Sequence, residues 1–169
     1  MNVYLIIGDA NMGKTSVVRK LSGFYEKFET LEEHKLNDLR FNVTTLSGEK
    51  RSVLLQTYDS LQELLITPEE FYELISKKKV PPQNILVCLR RKGTIIKKHK
   101  LPNAITYLEY FRNKGWNIEK VAFMSLEEGK SFPYEQSKTI VNDRKENGVD
   151  YKKSIDELTK LVKKHFCWN

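Results

Sequence analysis

The segment Gly8-Asp9-Ala10-Asn11-Met12-Gly13-Lys14-Thr15 sets two glycines five positions apart, followed at once by a cation and a hydroxyl. Glycine reaches backbone conformations closed to other residues, so successive N–H groups can turn inward around one phosphate. On this reading Gly8 and Gly13 shape the loop, and N–H groups from Asn11 through Met12 to Thr15 cradle a β-phosphate. Lys14 can reach the β- and γ-phosphates, and the Thr15 hydroxyl can ligate Mg²⁺. Asp9 would repel such a ligand and is expected to point away into solvent. The alternative is a glycine turn between a strand and a helix that binds nothing.

The flanking residues supply the required context. Val3-Tyr4-Leu5-Ile6-Ile7 reads as a buried strand running into the loop, and Thr15 to Leu21 as a helix that stops at Gly23. The N-terminus of that helix adds orphan donors and a partial positive charge. Strand, loop and helix together resemble the P-loop (Walker A) of the P-loop NTPase superfamily, a resemblance carried by residues 8–15. It implies binding of a nucleoside triphosphate, ATP or GTP, with Mg²⁺, and places Ser16 near the α-phosphate.

Metal-assisted phosphoryl transfer also calls for an acid at the end of a neighbouring strand. Asp59 stands after Val53 to Tyr58 and is the candidate metal-associated and catalytic residue beside Lys14. The alternative use of such an aspartate is simply to end a strand. Glu127 is a weaker candidate, and the strand Ile85 to Leu89 ends in Arg90 rather than an acid.

Further elements follow from patterning. Residues 24–38 read as a long connection with some helix over 31–36. Leu39 to Leu46 and Arg51 to Tyr58 form a hairpin across a turn at 47–50. Thr67-Pro68-Glu69-Glu70 opens a helix with a capping box, and Phe71, Leu74 and Ile75 share its inner face. The run Ile85 to Leu89 is a buried strand. Residues 102–114 are helical, with Gly115 ending them. Lys120 to Leu126 is the last strand, and Ser154-Ile155-Asp156-Glu157 caps a helix whose Ile155, Leu158, Leu161 and Val162 fall at helical spacing. The fold expected is one α/β domain spanning 1–169: a three-layer sandwich like that of P-loop NTPases, with a mostly parallel five-stranded sheet and one antiparallel hairpin.

Composition bounds the remaining options. The chain has 169 residues, 40% hydrophobic and 30% charged, an ordinary globular balance. No apolar run approaches the ~20 residues of a membrane span, and the first one lacks a basic leader, so it reads as core strand rather than signal peptide. Cys88 and Cys167 suggest neither a metal site nor a disulfide framework, and a cytoplasmic setting is expected. Net charge is +7, from 29 basic and 22 acidic residues. Lys77-Lys78-Lys79 suits a helix C-terminus. Residues 90–100 hold six Lys or Arg and no acid; a solvated loop is the first reading, an anionic-ligand site the second.

The order strand, P-loop, helix, hairpin is similar to that of the small GTPases, and Asp59 matches the aspartate of their Asp-x-x-Gly. Gln62, however, stands where that glycine would be. Their guanine-reading Asn-Lys-x-Asp is absent as well, since the chain reads Met124-Ser125-Leu126-Glu127-Glu128 after its last strand. ATP is therefore favoured over GTP. The function expected is a slow Mg²⁺-dependent NTP hydrolase that couples nucleotide state to a protein partner or a second copy of itself. One alternative is a small-molecule or nucleotide kinase with the basic 90–100 segment as its lid. Another is a non-enzymatic module that binds nucleotide or nucleic acid.

Overall fold

The computed structural model describes residues 1–21, 39–44, 50–55, 59–78, 82–127, 129–142 and 151–168. The chain order is β1 (Asn2–Gly8), α1 (Lys14–Leu21), β2 (Leu39–Thr44), β3 (Lys50–Leu55), α2 (Pro68–Ser76) and β4 (Asn84–Arg90). There follow β5 (Thr94–Ile96), β6 (His99–Leu101), α3 (Ala104–Asn113), β7 (Asn117–Ser125), β8 (Ser137–Val141) and α4 (Tyr151–Phe166). Six strands form one sheet in the order β2-β3-β4-β1-β7-β8. Only β2 runs antiparallel, paired with β3 from Leu39↔Leu55 to Thr44↔Lys50 as the hairpin pattern predicts.

The centre of the sheet is made by the continuous apolar runs. Val3 to Ile7 of β1 are wholly buried, because β4 and β7 flank them on both edges and helices cover both faces. The two-residue period then sorts side chains between two cores. Val3, Leu5 and Ile7, with Ile85, Val87 and Leu89, pack under α2 and α3 through Phe71, Ile75, Tyr107 and Phe111. Tyr4, Ile6, Leu86 and Cys88 face the other way, against Val17 and Val18 of α1 and Ile155, Leu158 and Val162 of α4.

Helix ends follow local chemistry. Thr67 accepts from the Glu70 N–H at 3.2 Å while the Glu70 carboxylate accepts from the Thr67 N–H at 2.8 Å, a complete capping box before Pro68. At the end of α3, Gly115 takes φ +78°, Trp116 N–H donates to Phe111 O and Gly115 N–H to Arg112 O, a Schellman stop.

Several expectations are corrected. The sheet has six strands rather than five, because β8 pairs in parallel with β7 beyond the last strand the pattern predicts. Residues 94–101 are not a plain loop but a separate two-stranded ribbon. Helix α4 starts at Tyr151, so Ser154 lies one turn inside it rather than capping it. Leu74 and Leu161 are 43% and 36% exposed, on the flanks of their helices and outside the core. Helix α3 runs from Ala104 with Asn103 as its cap, two residues later than the pattern places its start. The proposed helix at 31–36 and the turn at 47–49 lie outside the described residues.

Candidate functional site

The glycine loop leaves the carboxyl end of β1, between β4 on one side and β7 on the other. Helix α1 leaves on one face and α3 on the opposite one, the place where open α/β sheets bind ligands. Gly8 fits because a Cβ there would lie 2.8 Å from the Met124 carbonyl oxygen. Asn11 (φ +60°) and Gly13 (φ +84°) both take the left-handed conformation that turns the loop back on itself. The loop is fixed from outside as well. The buried amide of Asn142, just past β8, donates to Met12 O at 3.0 Å.

Lys14 opens α1 and is only 5% exposed. Its ammonium donates to Gly8 O at 3.1 Å and Asp9 O at 2.7 Å, so it lies across the glycine loop. Burial pushes its pKa below the ordinary lysine value. The neighbouring Cys88 thiol, pushed up to about 12 by its own burial, stays neutral. The charges facing Lys14 are therefore the carboxylates of Glu63 and Asp9 and the guanidinium of Arg90.

Thr15 and Asp59 come together although 44 residues separate them: the Thr15 hydroxyl donates to the Asp59 carboxylate at 3.2 Å. Asp59 reaches the loop across the end of β4, since β4 lies between β3 and β1. The segment after Asp59 is pinned there, with Leu61 N–H donating to Cys88 O at 3.1 Å. Gln62 is fully buried and acts as a bracket. Its amide nitrogen donates to Arg90 O and Pro102 O, and its oxygen accepts from Arg90 N–H. A hydroxyl and a carboxylate side by side are hard oxygen donors, which fits Mg²⁺ completed by phosphate oxygens and water. Among the described residues no three acids, histidines or cysteines cluster as a protein-only metal cage. Ser16 is half-buried in the first turn of α1. Glu127 pairs with Lys130 at 2.6 Å and stands at a separate cleft of about 70 Å³ between the glycine loop and the end of β7.

Two ion pairs frame the site, and both join residues remote in sequence. Arg91 grips Asp9 with two parallel bonds, Nε to Oδ1 at 3.2 Å and Nη2 to Oδ2 at 2.7 Å. Asp9 is thus held by an arginine while its side chain stays 45% exposed. Arg90 donates to Glu63 at 2.6 Å, and Glu63 also accepts from the Ser60 N–H and hydroxyl. Burial opposes the charge on Glu63, but the bonds from Arg90 and Ser60 outweigh it and hold the carboxyl below its usual range. Glu63 and Asn142 carry no local sequence signal, and Asp9 and Arg91 are 82 residues apart.

No family model, curated protein sequence or solved structure matches this chain. Among the described residues no helix is long and apolar enough to cross a membrane.

Proposed function

We propose that the chain is a P-loop nucleoside-triphosphate-binding protein that slowly hydrolyses its nucleotide, ATP in preference to GTP, and couples nucleotide state to a partner. The observation that carries this reading is the meeting of Thr15 and Asp59 beside the buried Lys14 at the end of β1. Two oxygen donors and a lysine converge there on the mouth of a glycine loop, from segments that the fold alone brings together.

In this reading the loop N–H groups and the start of α1 bind the phosphates. Lys14 exchanges its two carbonyl partners for phosphate oxygens, and Thr15 and Asp59 hold Mg²⁺. Bound Mg²⁺ supplies positive charge that offsets the charge building up on the transferred phosphoryl group. The hydrolase reading is preferred to a kinase with a basic lid because Arg90 and Arg91 are already engaged by Glu63 and Asp9.

Product analysis tests it. Release of inorganic phosphate from Mg²⁺-ATP without any acceptor, lost in Lys14→Ala, is the expected result. Turnover that appears only when a phosphoryl acceptor is added would replace the hydrolase with a kinase.

A further inference from the structure

The ribbon β5–β6 has its own two-residue period. Thr94 pairs with Leu101, Ile95 with Lys100 and Ile96 with His99. Leu101 is buried and Thr94 and Ile96 are half-buried, so one face packs on the domain. The opposite face presents Ile95, 73% exposed, beside Lys100. Lys97 (φ +48°) and Lys98 (φ +70°) form the connecting turn, both left-handed, where glycine or asparagine is the usual occupant. Lys92 stands exposed at the base. Among the described residues none of these four lysines has an ion-pair partner. The two backbones approach closely at the ribbon's foot, where a Cβ on Gly93 would lie 2.9 Å from the Leu101 carbonyl oxygen.

We propose that this ribbon is a docking surface for double-stranded DNA, with its lysines on the phosphates and Ile95 turned toward the groove. Charge complementarity selects the partner: four unpaired lysines within nine residues, with no acid among them, match a polymer bearing one charge per ~1.7 Å of duplex. Shape narrows it. A two-stranded ribbon enters the major groove of B-form DNA, about 12 Å wide, whereas the major groove of duplex RNA is too narrow. Single strands are disfavoured because residues 90–101 hold no Phe, Tyr or Trp on which bases could stack. An outward isoleucine amid lysines suits contact with thymine methyl groups. The proposal does not depend on hydrolysis. The ribbon nevertheless adjoins the glycine loop, because Arg91, at its entry, is the residue that grips Asp9.

The test is fluorescence anisotropy of a labelled 20-base-pair DNA duplex, without nucleotide, between 50 and 200 mM salt. Wild type is set beside the triple variant Lys97→Ala, Lys98→Ala, Lys100→Ala, with thermal unfolding of both as the check on folding. Four phosphate contacts give a slope of log K against log salt of about −3 to −4, and the variant keeps about −1. At 50 mM salt the variant should bind at least tenfold more weakly while unfolding at the wild-type temperature. No duplex binding at 50 mM salt, or the same slope in a folded variant, would overturn the proposal. So would binding to single-stranded DNA, duplex RNA or an acidic peptide as tight as to the duplex.

Discussion

Asp59 and Glu63 sit four residues apart and serve different ends. In the proposed function the Asp59 carboxylate beside Thr15 would hold the metal, so Asp59→Asn should act through Mg²⁺. Its affinity for Mg²⁺-ATP should fall ten- to a hundredfold, roughly the effect of disturbing a metal's supporting carboxylate. Affinity for ATP in EDTA should hold or improve, since a negative charge has been removed. Calorimetric titration in both conditions checks this, and an equal loss with and without metal would contradict the metal role. Glu63 is instead a strut on Arg90. Its carboxyl is held below the usual range, so its stabilising effect is complete above the ordinary glutamate pKa and is lost as pH falls through the lowered value. Glu63→Gln should therefore cost about 1 kcal/mol at pH 7, a charged hydrogen bond discounted for partial exposure, and less at pH 3. Urea unfolding at the two pH values measures it, and a difference that does not shrink in acid would refute the assignment.

Among the elements, Gly115 offers a clean measure of one backbone conformation. Nothing lies within 4 Å of a Cβ there, yet φ is +78°. Gly115→Ala should therefore cost about 1 kcal/mol through the left-handed strain alone. Thr67→Ala should cost a similar amount through the lost cap, and the two losses should add because they belong to different helices. Shifts in urea midpoint at constant slope give both values. These ends were legible in the sequence because their signals are local: Thr-Pro-Glu-Glu before an apolar stripe, and glycine after one. Strand β1 and its loop were legible for the same reason. Strand β8 was not, since Ser137 to Val141 is an edge strand with only Ile140 buried. The ribbon was hidden by its three-residue strands and by a Lys-Lys turn in place of Asn-Gly. Ser154 misled because Ser-x-x-Glu also occurs inside helices, where no cap is needed.

At the scale of the whole molecule the sheet joins what the sequence keeps apart. Asp9 with Arg91, Thr15 with Asp59 and Met12 with Asn142 meet only once β3, β4, β1, β7 and β8 align at their carboxyl ends. Single residues suggest the glycine-loop half of the site, but its partners need the topology. The same holds for the core under α4. Trp168 is buried against Tyr4 and Phe166, with ring centroids 4.8 and 4.9 Å away, and closes that face of the sheet. Trp168→Ala should cost about 3–5 kcal/mol, read as a lowered unfolding midpoint. The loss should reach the glycine loop, because Trp168 shares one core with Ile155 of α4, toward which Gly13 packs. What the arrangement is for turns on the loop itself, and calorimetric titration of wild type and Lys14→Ala with Mg²⁺-ATP and Mg²⁺-GTP asks this most directly. The account predicts that wild type binds, ATP more tightly, and that Lys14→Ala loses one charge-assisted contact, about 1.5–3 kcal/mol or roughly ten- to a hundred-and-fifty-fold. Equal affinity in the two proteins, or no binding by wild type, would contradict it.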